Sequence, residues 1–188
     1  MNPEKLTRKT REALELAHTD ATRRHHREVD AEHLFHALLT QHDGLAPRIL
    51  ERAGADVPIL RARVEEALER RPRVTGPGTE PGKVYVTPRL SRLLVAAGDG
   101  AKKLGDEFVS VEHLLLAFLE ERGGDPAAWL KEAGVDRDRL LEALASIRGH
   151  QRVTNDDPES AYEALTKYGT DLVELARAGK LDPVIGRD

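Results

Sequence analysis

The chain of 188 residues has no cysteine, which excludes disulfides, thiolate metal sites and a cysteine nucleophile. An intracellular location is compatible with that absence. Aromatic residues are scarce at 4%, whereas charged residues reach 33%, above the roughly 25% of an average soluble domain. The mix is rich in Ala, Leu, Glu and Arg and favours helix over sheet. The net charge of −4 gives no global pull toward nucleic acid or an anionic membrane. No apolar run approaches the roughly 20 residues that span a bilayer, and residues 1–11 alternate charge and polarity with no apolar signal segment. The expectation is a soluble cytoplasmic protein with no membrane or nucleic-acid partner. No P-loop, dinucleotide fingerprint or HExxH signature occurs. Cradling phosphate needs glycine-rich backbone amides together with a lysine, and no stretch supplies both. The chain therefore reads as a binding domain and not an enzyme, with no metal and no cofactor of its own.

What is present is an internal repeat. A shift of 80 residues superimposes 6–68 on 86–148 without a gap. Identical pairs include Thr7/Thr87, Leu14/Leu94, Ala17/Ala97, Ala21/Ala101, Val29/Val109, Glu32/Glu112, His33/His113, Leu34/Leu114, Gly54/Gly134 and Asp56/Asp136. They fall on caps and turns, where chance would not gather them.

Each copy parses into four helices. Thr87-Pro88 is an N-cap followed by proline at the first helical position, so the fifth helix starts there and the first at Thr7. Asp30 and Ser110 cap the second helix of each copy, and Asp125-Pro126 opens the third of copy two. Gly54 and Gly134 suit the left-handed ends of helices, after which Asp56 and Asp136 cap the fourth. The fourth helices carry single apolar stripes, Leu60, Val64 and Leu68 in one and Leu140, Leu144 and Ile147 in the other. By contrast, 111–119 is apolar on nearly every side, so this helix and its twin over 31–39 belong at the centre. The fold class is all-α: an eight-helix double repeat of a four-helix unit, packed as pseudo-symmetric halves.

Residues 71–83 hold Pro72, Gly76, Pro77, Gly78, Pro81 and Gly82, which predicts a flexible surface connection. After Ile147 the chain turns polar to Pro158, a second linker ahead of a tail over 159–188. There Asp171 caps a short helix through Ala178, closed by Gly179. Gly98 and Gly100 interrupt the fifth helix at roughly 1 kcal/mol each. His25 stands where the second copy has helix-ending Gly105.

Four sets of residues are candidates for chemistry. His33 and His36 are spaced for a metal, yet the repeat keeps His113 and puts Leu116 opposite His36, which favours a hydrogen-bonded structural histidine. Residues 23–27 form a basic cluster read as a solvated loop, with anion binding as the lesser option. Glu32 and Glu112 are acids at matching places on apolar helices. Either they favour the positive helix end, or they receive a cationic group of a bound chain. Leu90, Leu93, Leu94 and Ala97 are either plain core or part of an exposed groove.

The Glu32-His33-Leu34 element, its repeat at 112–114 and the eight-helix parsing resemble the double repeat of Clp-type N-domains. The tail is more specific: Arg148-Gly149, Gln151-Arg152-Val153-Thr154, Tyr162-Glu163-Ala164-Leu165, Lys167-Tyr168-Gly169, and the run from Gly179 to Asp188. These resemble the linker and the start of the first AAA+ module of ClpB-type bacterial protein disaggregases. The resemblance implies a Clp-type N-domain over 1–148, a linker over 149–158 that lets it swing, and the start of an AAA+ module over 159–188. It implies a homohexameric parent that uses ATP and magnesium, works with the DnaK chaperone system and threads aggregated polypeptide. This segment alone would be monomeric and without turnover. Val184 and Ile185 match the stretch that packs beside adenine in the full ATPase. Carried over by position, polar substrate contacts fall on Thr7, Asp106 and Glu112, and a shallow groove on Leu90, Leu94, Phe108 and Val109. The basic and apolar character of clients would suit those acids. Differences between the copies mark the second as the substrate face. The alternative is an adaptor or phosphoarginine docking domain of the ClpC or ClpA type, with Glu32 and Glu112 accepting guanidinium groups.

Overall fold

A computed structural model describes residues 3–74, 84–149 and 152–158. Its eight α-helices are α1 (Arg8–Arg23), α2 (Ala31–Thr40), α3 (Leu45–Arg52), α4 (Val57–Glu69), α5 (Pro88–Leu104), α6 (Val111–Glu120), α7 (Asp125–Glu132) and α8 (Arg137–Arg148). The helix starts follow from side-chain caps. Thr7 and Thr87 accept the amides of Thr10 and Leu90, and Asp56 and Asp136 those of Ile59 and Arg139. Asp30 and Ser110 form capping boxes with His33 and His113 at the third helical position. These satisfy amides that no preceding turn can reach.

The largely apolar α2 and α6 lie at the centre, buried from Ala31 to Leu39 except at His36 and from Val111 to Phe118. Phe35 and Phe118 meet edge to face there, with centroids 5.2 Å apart. Within each copy the first helix packs along the second; between copies α3 packs on α6 and α8, and α7 on α2 and α4. The stripes Leu60, Val64, Leu68 and Leu140, Leu144 are buried, while Ile147 packs partly buried against the core. No helix among the described residues is long and apolar enough to cross a membrane.

The all-α reading gains one addition. Two-residue strands β1 (Glu28–Val29) and β2 (Tyr85–Val86) pair in parallel, and an isolated bridge joins Leu6 to Val109. Leu6 and Val86 are repeat mates, as are Val29 and Val109, so the lead-in of each copy pairs with the α1–α2 type loop of the other.

Several expectations change. Helix α5 runs unbroken through Gly98 and Gly100. Its buried stripe Leu90, Leu93, Ala97 and Ala101 outweighs the glycine cost, since a buried leucine contributes roughly 1.5–3 kcal/mol. His25 takes the left-handed φ of 58° at the place where Gly105 has 73°, so one corner is built in both copies at a strain that the first bears. The connection does not leave the body at Arg71: Arg71 pairs with Asp30 and Glu32, and the Val74 amide donates to the His25 carbonyl. Nor does the second linker trail away, because Val153 is fully buried and hydrogen-bonded to the body. Residues 75–83 and the tail elements over 159–188, including Asp171 to Ala178, Val184 and Ile185, lie outside the described residues.

Candidate functional site

Repeat-related corners of the two copies hold the buried charges. In copy two the Ser110 amide donates to His113 Nδ1 at 3.0 Å. Nδ1 is therefore an acceptor, and the proton sits on Nε2, which donates to Asp106 Oδ2 at 3.0 Å. Arg148 Nη1 donates to Asp106 Oδ2 and Glu112 Oε1, each at 3.0 Å. The second Asp106 oxygen accepts the Val153 amide at 2.8 Å. One arginine thus pairs with two carboxylates whose side chains have no exposed surface, which offsets part of the cost of their burial, while Glu112 Oε2 is buried with no hydrogen-bond partner among the described residues. Burial pushes the His113 imidazole below its ordinary value, against the pull of Glu112 and Asp106. Serine, histidine and aspartate are in line here, but all three are buried and the His113 nitrogen facing Ser110 Oγ already accepts the Ser110 amide. The arrangement is a helix cap and not a nucleophile.

In copy one His26 replaces Asp106. His33 Nδ1 accepts the Asp30 amide at 3.0 Å, so His33 Nε2 donates to His26 Nδ1 at 2.8 Å. The proton of His26 then lies on Nε2, which is buried with no hydrogen-bond partner among the described residues. Burial, reinforced by Arg71, lowers His33 to about 4; burial, Arg71 and Arg24 lower His26 as well. Glu32 accepts Arg71 at 2.6 Å and Arg89, and Arg89 also grips Glu121. Thr87 donates to Asp30 at 2.6 Å. Burial opposes ionisation of Asp30, yet Thr87, Arg71 and the Ala31 amide hold it low. This cluster backs a solvent-facing hollow of about 480 Å³ lined by Ala67, Arg70, Pro72, Gly123 and Asp125.

The residues singled out from the sequence divide accordingly. Thr7, Asp106 and Glu112 are buried, as are Leu90 and Val109, which join the core. Leu94 and Phe108 are half-buried, with Lys5 Nζ 5.6 Å from the Phe108 ring centroid. Glu32 and Glu112 sit in the first turn of their helices, and both open readings meet there: a helix-start position and a guanidinium partner, the latter supplied by the chain itself. His33 and His113 are the structural histidines expected. His36 turns away to Asp20 at 3.0 Å and Glu65 at 3.3 Å. Among the described residues no group of three His, Asp or Glu gathers to hold a metal. The 23–27 cluster is a correction: Arg24 reaches Asp20, Glu65 and Glu69, and His26 is buried, so only part of it is solvated. Burial alone would raise Asp20, but hydrogen bonds from His36 and Arg24 hold it at about 2.

Arg71, Arg89, Arg148 and Val153 were missed. Arg89 and Arg148 stand opposite Lys9 and Leu68 in the repeat, and Arg71 and Val153 lie beyond its bounds, so none carries the repeat signal that marks the glutamates. The solitary acids on apolar helices were themselves the available clue, because each such charge needs a partner.

Residues 5–133 match the Clp repeat (R) N-terminal domain family. The ClpB chaperone protein of Bacillus anthracis is 48% identical over 188 residues, 100% of this chain and 22% of the relative. That of Bacillus cereus strain ATCC 14579 is 50% identical over the same 188 residues and shares. The chain thus spans 22% of the length of these relatives, matching their N-terminal region. The Hsp104 N-terminal domain of Candida albicans superposes with a TM-score of 0.68 at 22% identity, covering 83% of this chain and 99% of that one. The ClpV N-domain in complex with a VipB peptide gives 0.56 at 25% identity, covering 75% and 85%. Such a domain binds and does not catalyse. With the capped double repeat and the match over 5–133 in agreement, the chain belongs to the Clp repeat N-terminal domain family.

Proposed function

We propose that this is the substrate-capture domain of a ClpB-type protein disaggregase, taking up unfolded or aggregated polypeptide for threading by an AAA+ ring. The observation that carries the reading is identity near one half over the whole chain to the N-terminal region of ClpB chaperones. A related N-domain held with a peptide supports polypeptide as the ligand. In the full protein the domain would occupy 1–148, followed by a linker over 149–158 and the start of the first ATPase module over 159–188. The whole would be a cytoplasmic homohexamer that uses ATP and magnesium and works with DnaK. Val184 and Ile185 would lie beside the adenine.

We place client contact on the second copy, at half-buried Leu94 and Phe108, with Leu90 and Val109 as supporting core. Thr7, Asp106 and Glu112 define the polar side of this face. Because Arg148 pairs with both acids, selection there rests on apolar contact and backbone hydrogen bonds more than on client basicity. Weak, sequence-tolerant contact suits a domain that meets many clients. The phosphoarginine reading requires a ligand guanidinium to displace Arg71 and Arg89 from Glu32, or Arg148 from Glu112. Each displacement would strand a cation already matched to its carboxylates. The decisive measurement titrates reduced, carboxymethylated lactalbumin against the 188-residue chain and its Leu94→Asp variant. Affinity should fall severalfold in the variant with helical content unchanged; equal affinity sinks the assignment of the face.

A further inference from the structure

Residues 152–157, Arg-Val-Thr-Asn-Asp-Asp, lie against the face just assigned to clients. The Val153 side chain is fully buried. Its amide donates to Asp106 Oδ1 at 2.8 Å, and its carbonyl accepts the Glu107 amide at 2.9 Å. The Asn155 side chain accepts the Asp157 amide and turns the segment. The Asp156 carbonyl then accepts the Arg8 amide at 2.6 Å, and the carboxylates of Asp156 and Asp157 pair with Arg11 at 3.1 Å and Arg8 at 2.9 Å.

The Arg8 contact is one that its repeat mate cannot make. Arg8 opens α1 and carries one of the amides that a helix leaves unsatisfied, whereas its repeat mate Pro88 has no amide to offer. The first helix of the domain thus presents a donor and two cations, Arg8 and Arg11, at positions where the fifth has Pro88 and Ser91. Of the proposed client residues the segment bonds Asp106 directly, and it bonds Arg8 and Glu107, the chain neighbours of Thr7 and Phe108.

We propose that 152–157 is an internal occupant of the client slot, a strap that a client must displace before capture. The proposal rests on the capture reading above and adds its regulation and the pattern read by the slot. That pattern is a segment with one β-branched aliphatic residue, a turn at Asn155 and carboxylates three and four positions after the valine. Recognition through main-chain bonds plus one side-chain pocket is how an extended peptide joins a receptor of loose specificity. The strap is built to yield. Its ion pairs lie in partly exposed side chains, with Asp156 58% and Arg8 49% exposed, where such pairs hold weakly. Val153 and the Asp106 bond are left as the main fastening.

The test uses the 188-residue chain, with amide exchange followed by NMR and lactalbumin affinity by titration. The Val153 and Glu107 amides should be protected in the wild type and exchange freely in Val153→Asp. Releasing the strap should raise client affinity about tenfold if it is docked about nine-tenths of the time. Asp156→Lys/Asp157→Lys, which repels Arg8 and Arg11 without touching the core, should raise affinity in the same direction and carries the test if Val153→Asp does not fold. Fast exchange of both amides in the wild type overturns the strap. Equal client affinity in wild type and released variants also overturns it while leaving capture intact. No client binding by any form overturns the capture reading itself, and the strap with it.

Discussion

Lowering the pH from 7.5 to 5 should cost this domain stability through His33. Burial, with Arg71 nearby, lowers that imidazole from 6.5 to about 4. At pH 5 the unfolded chain binds the proton and the folded chain does not, so protons favour unfolding. The stabilisation is complete above pH 6.5 and is lost as pH falls toward 4. Working the linkage through gives about 2 kcal/mol lost at pH 5 and about 3 below pH 4. His26 and His113 are also lowered by burial and act in the same direction, whereas Asp20, held at about 2, contributes only at lower pH. The assay is urea unfolding followed by Trp129, the single tryptophan, whose ring lies 6.2 Å from Phe35. The repeat supplies the control. His26→Asp copies the Asp106–His113 pair and places a carboxylate on His33 Nε2, which favours the imidazolium. The loss between pH 7.5 and 5 should shrink to less than half in that variant. A flat profile in the wild type, or an unchanged slope in His26→Asp, would refute the assignment of the acid sensitivity to this pair.

Two further substitutions test the buried charges. Arg148→Ala strands Asp106 and Glu112 without their shared cation and should cost about 3 kcal/mol or more in urea unfolding; adding Glu112→Gln should recover part of it, and no recovery would mean that packing of the arginine stem dominates. Thr87→Ala removes both the cap on Leu90 and the donor to Asp30, and should lower stability by about 1–2 kcal/mol, read by the same unfolding curves; a loss near zero would show water replacing the hydroxyl at both ends.

The fold was largely legible because its punctuation is local. A threonine before a helix, or a glycine after one, acts within a few residues, and the repeat displayed each such signal twice. The paired histidines were legible for the same reason, since a capping box spans three positions. The partners of the acids were not. Arg89 reaches Glu32 across 57 residues and Arg148 reaches Glu112 across 36, distances over which only the folded chain decides who meets whom. The parallel β1–β2 pair escaped notice because two residues give no periodicity. Polarity misled at Arg152 to Asp157: one buried valine and a few backbone bonds hold this segment, and composition records neither. Leu90 and Leu94 lie on one helix four residues apart, yet one is core and the other half-buried, a difference that spacing alone does not resolve.

The crossed pairing of lead-ins has a consequence for how the two copies relate. Leu6 finds its backbone partner in Val109, and Val86 finds its own in Val29, so neither copy closes on itself. This is the architecture of a two-fold dimer written into one chain, each half donating an arm to the other. Opening one copy would unpair the arm of its neighbour, which ties the two to a single unfolding event. Such a domain cannot surrender half of itself and keep the rest, and a duplicated sequence is here one indivisible thermodynamic body.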